Sequence, residues 1–493
     1  MPRRFFSIMR AMSRFPISQL LLCAGLFFSI TTAATVSTEL PELGDISSGV
    51  VSLEMEQEIG KQLLREIHAE APTVSDPILK YYTETQLYSL AEHSDLKRKQ
   101  LYPVLIDAPE VNAFAAPGGV VGINLGLYLT AEDINEYSAV LAHELAHLSQ
   151  RHFARQIENE QQNTLPYLAA MLASILVAAT AGGQAGLAAM SGTQALAQQN
   201  ALAFSREREA EADRTGIQTL YAADLDPMAM ARMFEQMQRA YRFSRKPPEF
   251  LLTHPVTEAR ITDARNVASK YPVKNYPDSE EFQMMRARAM VHFAASPQQA
   301  VAQFRSLVEK TGGADWAYYG LVVALSRAGQ NEEALDTAKP LMAKHPDSLI
   351  YVATKGQLYN AAGRYDDAIE TLTPMLARNP DNKPLSVIYA DALNGAKRYK
   401  EAEAVLLKQS VKNPDDVDVW YSLAETAGLA GDIVQVHLAR AEYFVRVGQL
   451  QKSIQHLQYA RGLVSSDNYR LTAMLDQRIR DLSAELAEQQ KHG

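Results

Sequence analysis

Residues 141–148, Leu141-Ala142-His143-Glu144-Leu145-Ala146-His147-Leu148, contain the pattern His-Glu-x-x-His within a run that has the character of a helix. Residues four apart lie one turn above each other on one helix face, so His143 and His147 can direct two imidazoles at one Zn²⁺. Glu144 follows the first histidine directly, which places its carboxylate beside such an ion, where it can take a proton from water. The alternative is a surface helix with two exposed histidines.

The composition of the 493-residue chain, with 47% hydrophobic and 21% charged residues, is that of a globular protein with room for two or three domains. Residues 1–34 differ from the rest, because four arginines precede an apolar run from Ile17 to Ile30 and small residues follow it. This pattern is typical of a secretory signal peptide, and we expect cleavage after the small residues. An uncleaved membrane anchor is the alternative.

The single cysteine of the chain, Cys23, lies inside this N-terminal segment. Leu22 precedes it where a lipoprotein signal requires a small residue, so we do not expect lipidation. A mature chain without cysteine has to build any zinc site from histidine and carboxylate ligands. Loss of the four arginines takes the formal net charge from −9 to −13. An acidic chain without a basic tract argues against nucleic acid as a partner.

Two helices and a small sheet are predicted before the His-Glu-x-x-His segment. Apolar residues recur at helical spacing over residues 50–92, whereas residues 101–106 and 111–123 have strand character with a turn at Pro117-Gly118-Gly119. The strands predict a small antiparallel sheet, one edge of which can hold an extended substrate so that a carbonyl reaches the metal. A plain structural hairpin is the alternative. The residues of this candidate substrate edge are Asn112, Ala113 and Phe114.

The helix that carries the two histidines has a recognisable start. Thr130 and Asp133 fit a capping box, and the helical pattern continues to about Ile157. In a continuous helix, His152 is about half a turn around from His143, so we expect it to lie at the surface.

Residues 165–190 form an apolar segment of marginal length for crossing a membrane. Three interpretations remain open for this segment: a buried helical hairpin, a membrane-surface or mobile segment near the site, and a transmembrane helix. Peripheral contact with a membrane is therefore one possible property of the chain.

A second, strongly charged helix is predicted over residues 198–220. Residues 141–148 lack a third zinc ligand, and an acidic side chain on a separate helix would supply it. The periodicity does not choose among the three glutamates, and a solvated surface helix is the alternative. The candidates are Glu207, Glu209 and Glu211.

Three motifs together resemble the gluzincin metallopeptidases related to the CAAX prenyl endopeptidase: Asn-Ala-Phe-Ala-x-Pro-Gly-Gly from residue 112, His-Glu-x-x-His, and Ser-Arg-x-x-Glu-x-x-Ala-Asp from residue 205. The resemblance extends over about residues 50–265. It implies that Glu209 is the third zinc ligand and that Asp213, one turn further along, orients a ligating histidine. It also implies that Glu207 and Glu211 lie at the surface.

Residues 251–261 match the His-Pro segment of the same family. The resemblance implies that His254 can reach the zinc ion. There it would either occupy the open position and keep the enzyme latent, or swing aside and stabilise the oxyanion. A helix N-cap or a buried histidine at the start of a helix is the alternative.

The second half of the chain repeats with a period of 34 residues, which is typical of tetratricopeptide repeats. Gly448 follows Gly431 by half a period, which predicts one helix shared by two successive pairs, and residues 467–490 fit a terminal capping helix. Such a solenoid binds partners on its concave face, unless it only braces the first half. The repeated positions are Ala300, Ala334, Ala368, Ala402 and Val436; Pro346, Pro380 and Pro414; and Gly329, Gly363, Lys397 and Gly431.

This order of segments resembles a family of bacterial periplasmic proteases that assist the assembly of outer-membrane β-barrel proteins. The resemblance implies a zinc metalloendopeptidase and chaperone with one Zn²⁺ per chain, which promotes barrel assembly and degrades stalled or misfolded barrels. Its implied partners are unfolded or stalled outer-membrane proteins and, through the repeats, the barrel assembly machinery. The alternative function is a scaffold for that machinery whose protease is normally latent.

The predicted chain is therefore mainly α, with three parts. They are a signal peptide at residues 1–34, a zincin-type α+β metalloprotease domain with a small antiparallel sheet at residues 35–275, and an α-solenoid of tetratricopeptide repeats at residues 276–493.

Overall fold

The structure is a computed structural model that describes residues 51–159, 205–241, 249–465 and 467–492. The predicted signal peptide and the apolar segment 165–190 lie outside the described residues. Within the described ranges, no helix combines the length and the apolar character needed to cross a membrane.

The described part of the chain up to residue 268 contains helices α1–α9 and strands β1–β3. The two helices predicted before the sheet are present, and Pro77 at the start of the second one favours its initiation. The helices are α1 (Leu53–Glu70), α2 (Pro77–Glu92), α3 (Gly126–Thr130), α4 (Ile134–Ser149), α5 (His152–Asn159), α6 (Arg206–Ala222), α7 (Ala229–Tyr241), α8 (Glu249–Thr253) and α9 (Glu258–Ala268). The strands are β1 (Tyr102–Ile106), β2 (Ala113–Ala116) and β3 (Val120–Asn124).

The sheet has the order β1-β3-β2 and is mixed. Strands β2 and β3 are antiparallel, as predicted, but β1 pairs with β3 in parallel, with Tyr102 opposite Val120. The prediction of a wholly antiparallel sheet was therefore wrong for β1. Strand β3 is buried along its whole length and lies at the centre of the sheet, whereas β2, which is half-buried, lies at one edge.

Helix α1 packs directly against the turn that joins β2 to β3. A side chain at Gly60 would place its Cβ 2.3 Å from the carbonyl oxygen of Pro117, so only glycine permits this approach. In the turn, Gly118 and Gly119 have φ values of 74° and 84°, which L-residues rarely adopt. The hairpin next to the central helix is thus fixed from outside by α1.

The central helix α4 begins and ends at other residues than predicted. Its N-cap is Asp133, whose carboxylate accepts from the Glu136 N–H at 2.8 Å, while Glu136 accepts from the Glu132 N–H at 2.9 Å. The capping box therefore lies one turn later than the predicted pair of Thr130 and Asp133. The helix also stops at Ser149 instead of Ile157, because Arg151 has a left-handed φ of 49°.

The second half of the described chain is a run of paired helices, as predicted. The inner turns have left-handed residues at Gly329, Gly363 and Gly431, and Lys397 has the same conformation with a φ of 61°. Helix α19 lies between the turns at Gly431 and Gly448, as expected for a shared helix. The helices are α10 (Glu280–Phe293), α11 (Pro297–Lys310), α12 (Asp315–Arg327), α13 (Asn331–Lys344), α14 (Leu349–Ala361), α15 (Tyr365–Arg378), α16 (Lys383–Gly395), α17 (Tyr399–Lys412), α18 (Val417–Ala430), α19 (Ile433–Arg446), α20 (Leu450–Leu463) and α21 (Tyr469–His492).

A single hydrophobic core joins the two halves. Its buried residues run from Val74 in the first half to Ile388 in the solenoid. At the junction, Phe282 of α10 packs on Tyr128 and Tyr137, with ring centroids 5.8 and 5.5 Å apart. The first solenoid helices thus cover apolar surface that α3 and α4 would otherwise expose. The predicted boundary between residues 275 and 276 stays a prediction.

A group of five charged side chains also joins the halves, and we call it the interface charge cluster. Lys80 of α2 lies 3.2 Å from Asp416 and 2.6 Å from Asp418, while Lys383 of α16 lies 3.0 Å from Asp416 and 2.9 Å from Glu84. Burial raises the pKa of Asp416, but the two lysines outweigh it and hold that pKa well below its usual range. Asp416 is therefore the shared counterion of two lysines.

Candidate metal centre

The centre of the site is the face of α4 that packs on α6. The side chains of His143, Glu144 and His147 are buried on this face. Helix α6 can approach closely because Gly216 faces α4, and a Cβ there would come within 3.2 Å of the His143 backbone nitrogen. The close packing of these two helices brings Glu209 to the two histidines.

Four buried residues form what we call the metal cluster: His143, His147, Glu209 and His254. The Nε2 atoms of His143 and His147 are 3.1 Å apart. The Glu209 carboxylate lies 3.6 Å from the first and 3.4 Å from the second of these atoms. His254, just after α8, places its Nδ1 atom 3.0 Å from Glu209 and 3.3 Å from His143.

These distances are those of ligands around one metal ion. Tetrahedral ligands with bonds of about 2.0–2.1 Å to a divalent ion lie roughly 3.3–3.5 Å from one another. The donor set, three imidazoles and one carboxylate, also has the chemistry that such ions select. The residues of the metal cluster therefore fit a metal ion, both in size and in type of donor.

On the side away from the metal cluster, His143 meets an acidic side chain. Its Nδ1 atom lies 2.9 Å from the Asp213 carboxylate, which is where the sequence placed an orienting residue. Arg260 of α9 contacts Asp213 through Nε at 2.8 Å and Nη2 at 2.7 Å, and Glu209 through Nη1 at 2.7 Å. One buried guanidinium thus holds both carboxylates in place.

Arg260 was missed in the sequence analysis. It belongs to the His-Pro segment that resembles the metallopeptidases, six residues after His254, but no role was assigned to it. The available signal was an arginine in a segment expected to reach the zinc ion, where Glu209 and Asp213 were also expected. Arginine is the usual partner where carboxylates are buried and need two parallel hydrogen bonds.

The prediction that His152 lies at the surface was wrong. His152 is fully buried, with its Nδ1 atom 2.9 Å from Nδ1 of His147 and its Nε2 atom 3.1 Å from the Glu211 carboxylate. The prediction assumed one continuous helix, and the break at Arg151 turns the ring inward. Glu211 was also expected to be merely a surface residue, but although it is partly exposed, it binds His152 and Arg155. Glu207 is exposed, as predicted.

Glu144 lies beside the metal cluster and is buried. Its Oε1 atom is 3.7 Å from Nε2 of His254, and the Ala115 backbone hydrogen-bonds to its carboxylate. Burial raises the pKa of Glu144, and the nearby His254, His143 and Ala115 lower it only in part. A carboxylate with a raised pKa accepts a proton more readily near neutral pH than an ordinary glutamate.

The other ionisable groups of the metal cluster are also shifted. Burial lowers the pKa of His143, but contacts with Asp213 and Glu209 outweigh it and raise that pKa to about 9. Burial keeps the pKa of His147 well below its usual value. Burial raises the pKa of Glu209, but His254 and the hydrogen bonds with the histidines outweigh it, so this pKa lies well below its usual range.

Strand β2 runs along the edge of the sheet next to Glu144. The carbonyl of Asn112 accepts from the Asn124 N–H at 2.9 Å, and hydrogen-bonded pairs alternate along antiparallel strands. The backbone groups of Phe114 therefore face β3, as those of Asn112 do, whereas those of Ala113 and Ala115 point to the outer edge. Of the three residues of the candidate substrate edge, Ala113 is the one whose backbone faces outward, and the role of this edge stays a prediction.

The structure brings together six of the residues that the sequence analysis proposed for the site. His143, His147, Glu209 and His254 form the metal cluster, with Glu144 and Asp213 in contact with it. The chemical roles assigned to these residues stay predictions, because positions alone do not demonstrate them.

Comparison with known proteins identifies the families. Residues 78–268 match the model of peptidase family M48, and residues 359–426 match a model of the tetratricopeptide repeat. The matched ranges include the whole metal cluster and two of the predicted repeats. The predictions of a metallopeptidase domain and of a tetratricopeptide solenoid are confirmed.

The chain is also similar to curated proteins. It is 33% identical over 315 residues to the β-barrel assembly-enhancing protease of Escherichia coli (strain K12), and 34% identical over 318 residues to the putative β-barrel assembly-enhancing protease of Vibrio cholerae. Each alignment covers 64% of this chain, and 64% and 65% of the respective relative, so the chain spans slightly less than two thirds of their length. It is 29% identical over 256 residues to the mitochondrial metalloendopeptidase OMA1 of Schizosaccharomyces pombe, covering 49% of this chain and 71% of that protein. Residues 78–268 of this chain are therefore similar to peptidase family M48, and a match to the tetratricopeptide repeat follows them.

Proposed function

We propose that the protein is a zinc-dependent metalloendopeptidase whose active site is the metal cluster together with Glu144. The observation that carries this proposal is the set of distances of 3.0–3.6 Å among two imidazoles of one helix, a carboxylate of a second helix and His254. Zinc is the proposed ion because it favours tetrahedral sites of histidine and carboxylate in peptidases. A zinc ion bound there would polarise a peptide carbonyl and acidify water.

Glu144 supplies the proton transfer. Its carboxylate adjoins the metal cluster without belonging to it, and burial raises its pKa, so it can take the proton of the attacking water. The same carboxyl group can then deliver that proton to the amine nitrogen that leaves. The hydrogen bond with the Ala115 backbone holds the carboxylate at the edge strand, where the scissile bond would lie.

The outer edge of β2 is the proposed substrate site. The backbone groups of Ala113 point to this edge, and we propose that they pair with an extended segment of the substrate, as an added strand pairs with a sheet edge. This mode of binding uses the substrate backbone, so it requires an unfolded or extended chain but little side-chain specificity. Unfolded proteins are therefore the proposed substrate class.

His254 gives the site a closed form. With His254 in place, the metal cluster already has four donors, which is the complement of a structural zinc site, whereas catalytic sites leave one position open. We infer that His254 has to withdraw before substrate can bind. Its position therefore supports a protease that is latent at rest, and once withdrawn the imidazole could stabilise the oxyanion.

The test of the activity compares wild-type protein, Glu144→Gln and the control Glu207→Gln. We expect wild type and Glu207→Gln to bind one zinc ion and to cleave an unfolded protein such as casein. Loss of a general base typically costs about 10²–10⁴-fold in rate, and Glu144→Gln should show this loss while it still binds zinc. Purified wild type without stoichiometric zinc by elemental analysis, or undiminished cleavage by Glu144→Gln, would refute the proposal.

The latency proposal has its own variant. His254→Ala removes the fourth donor, so we expect faster cleavage of casein than by wild type under identical conditions. The zinc content should remain one ion per chain, because three ligands remain. Equal rates for the two proteins would exclude His254 from regulation.

We propose further that the protein acts in the bacterial periplasm on the assembly of outer-membrane β-barrel proteins. The support is the similarity to relatives named β-barrel assembly-enhancing protease, and the tetratricopeptide repeats supply a surface for partner proteins. The proposed partners are stalled outer-membrane proteins and the barrel assembly machinery. Degradation of stalled or misfolded barrels is proposed to be the peptidase's part of this role.

The alternative function is a scaffold or chaperone for barrel assembly with a normally latent protease. It is favoured by the fourth donor at His254 and by the core that the solenoid shares with the catalytic part. Glu144→Gln separates the two functions in a strain that lacks the protein. Full restoration of barrel assembly by this variant would favour the scaffold, and no restoration would favour the peptidase.

The proposed location depends on the signal peptide predicted for residues 1–34. We expect the mature protein in the periplasmic fraction, beginning after Ala34. N-terminal sequencing of the fractionated protein tests this, and an intact N-terminus on the membrane would instead indicate an anchor.

A further inference from the structure

His152 occupies a position that its sequence context did not predict and that the proposed catalytic steps do not use. Its ring is fully buried between the metal cluster and α6. Nδ1 lies 2.9 Å from Nδ1 of His147, and Nε2 lies 3.1 Å from Oε2 of Glu211. Both ring nitrogens therefore have hydrogen-bonding partners, one toward the metal cluster and one toward the surface.

The donors and acceptors along this chain of contacts are mutually consistent. Nε2 of His147 faces the other metal-cluster donors, so it needs a free lone pair, and the ring proton is on Nδ1. That N–H can donate to Nδ1 of His152. Nδ1 of His152 is then an acceptor, so the proton of this ring is on Nε2 and is donated to the Glu211 carboxylate. Only this arrangement gives every neutral ring one donor and one acceptor.

The far end of the chain is anchored. Arg155 of α5 contacts both carboxylate oxygens of Glu211, at 3.3 and 3.2 Å. Glu211 and Arg155 are partly exposed, so the charged end of the chain reaches solvent while His152 stays buried. Helix α5 thus provides both the intermediate ring and the cation that holds its acceptor.

The arrangement parallels the one behind His143. There Asp213 contacts Nδ1 of the ligand and Arg260 holds Asp213. Both acceptor carboxylates, Asp213 and Glu211, come from α6. For His147 the distance to that helix is bridged by the ring of His152.

The backbone supports this placement. Between α4 and α5, Arg151 has a φ of 49°, a conformation that is unfavourable for a non-glycine residue. Its guanidinium is held by Glu56 at 3.1 Å and by the carbonyl of Val51 at 2.8 Å. Without this turn the helix would continue and carry His152 away from His147.

We propose that His152 and Glu211 are positioning residues that fix the ring plane and the tautomer of His147 for metal binding. The inference rests on the proposed function in one respect, namely that His147 is a metal ligand. Outer hydrogen bonds of this kind typically contribute about 10–100-fold to metal affinity, because an unrestrained imidazole samples other orientations and the wrong tautomer.

The test measures the zinc dissociation constant by competition with a chromogenic chelator. The variants are His152→Leu, which removes both ring nitrogens, and Glu211→Ala, which is partly exposed and leaves the buried ring in place. Glu207→Ala is the matched control on the same helix, because Glu207 is exposed. We expect zinc to bind roughly 10–100-fold more weakly to His152→Leu and about tenfold more weakly to Glu211→Ala, with no change for the control.

A second readout does not depend on affinity or activity. Long-range ¹H–¹⁵N correlation spectra of the zinc-loaded protein show which nitrogen of each histidine carries the proton. We expect Nδ1–H at His147 in wild type and in Glu207→Ala, and a second set of His147 signals in Glu211→Ala. A merely structural effect of the substitution would not split the signals of this ring.

The outcomes separate this inference from the proposed function. Wild-type affinity in both His152→Leu and Glu211→Ala, with stoichiometric zinc, overturns the positioning role alone. Should His152→Leu fail to fold, Glu211→Ala and its spectra decide the question. A wild-type protein that binds no zinc overturns the proposed function, and the positioning role with it.

Discussion

Replacing Asp416 by Asn tests the interface charge cluster. The amide keeps the size of the side chain and an oxygen that can accept from the N–H groups of Asp418 and Val419 at the start of α18. It removes only the charge that Lys80 and Lys383 share. Since these lysines belong to different halves of the chain, the substitution measures how strongly the charge joins them.

The expected loss of stability follows from the contacts. At an effective dielectric constant of about 20, two opposite charges roughly 3 Å apart attract by about 5 kcal/mol, and Asp416 makes two such contacts. Burial of its carboxylate, whose side chain is 8% exposed, cancels several kcal/mol of this attraction. In the variant, Lys80 still pairs with Asp418 and Lys383 still pairs with Glu84. We therefore expect the free energy of unfolding to fall by about 3 kcal/mol, at the lower end of the range for a broken buried ion pair.

Urea unfolding followed by tryptophan fluorescence is the assay. Both tryptophans of the chain, Trp316 and Trp420, lie in the solenoid, so the signal reports its unfolding. The control is Asp336→Asn, whose pair with Lys339 is 71% and 74% exposed and should contribute little to stability because solvent screens it. If Asp416→Asn unfolds at the same urea concentration as the control Asp336→Asn, the reasoning is refuted.

The pH dependence of the same variant has a definite sign. The pKa of Asp416 in the folded protein lies well below its usual range. A lowered pKa contributes stability above the unfolded value, near 3.9, and loses it as the pH falls through the folded value. The stability difference between wild type and Asp416→Asn should therefore be constant at neutral pH and shrink below about pH 4. A difference that grows on acidification would contradict this assignment.

Three further substitutions have expected outcomes. Lys397→Gly should raise the free energy of unfolding by about 0.5–1 kcal/mol in urea titrations, because Lys397 has a left-handed φ of 61° at a turn where glycine is favoured; a less stable variant would contradict this. Gly216→Ala should lower it by about 1–2 kcal/mol, since its Cβ would crowd Met230 and the His143 backbone, and unchanged stability would show that α6 moves freely. Arg260→Met should lower the free energy of unfolding by about 3–5 kcal/mol, because it leaves two buried carboxylates without their cation, and added zinc should restore part of the lost thermal stability. If the metal-free variant is as stable as wild type, Arg260 does not hold these carboxylates.

The sequence was sufficient for the parts of the site that depend on local spacing. His143 and His147 lie one turn apart on α4, and this spacing allows their Nε2 atoms to come within 3.1 Å of each other. The resemblance was needed to choose Glu209 among three glutamates, because periodicity treats them alike. The 34-residue period likewise predicted the solenoid, including the irregular turn at Lys397.

The errors have a common physical origin. The surface prediction for His152 assumed that helical periodicity continued, but contacts of Arg151 with Glu56 and Val51, about one hundred residues earlier in the chain, stabilise a break. No local pattern contains that information. The role of Arg260 depends in the same way on the tertiary packing of α9 on α6. The parallel pairing of β1 with the central strand β3 likewise depends on how the whole sheet is buried.

The core that runs from Val74 to Ile388 couples the stability of the two halves. A fragment ending near residue 275 would lose Phe282 and expose the rings of Tyr128 on α3 and of Tyr137 on α4, the helix that carries His143 and His147. We therefore expect such a fragment to aggregate or to bind metal poorly. For the same reason, we expect a protein that binds the first solenoid helices to affect the part that carries the metal cluster through the packed side chains of this core.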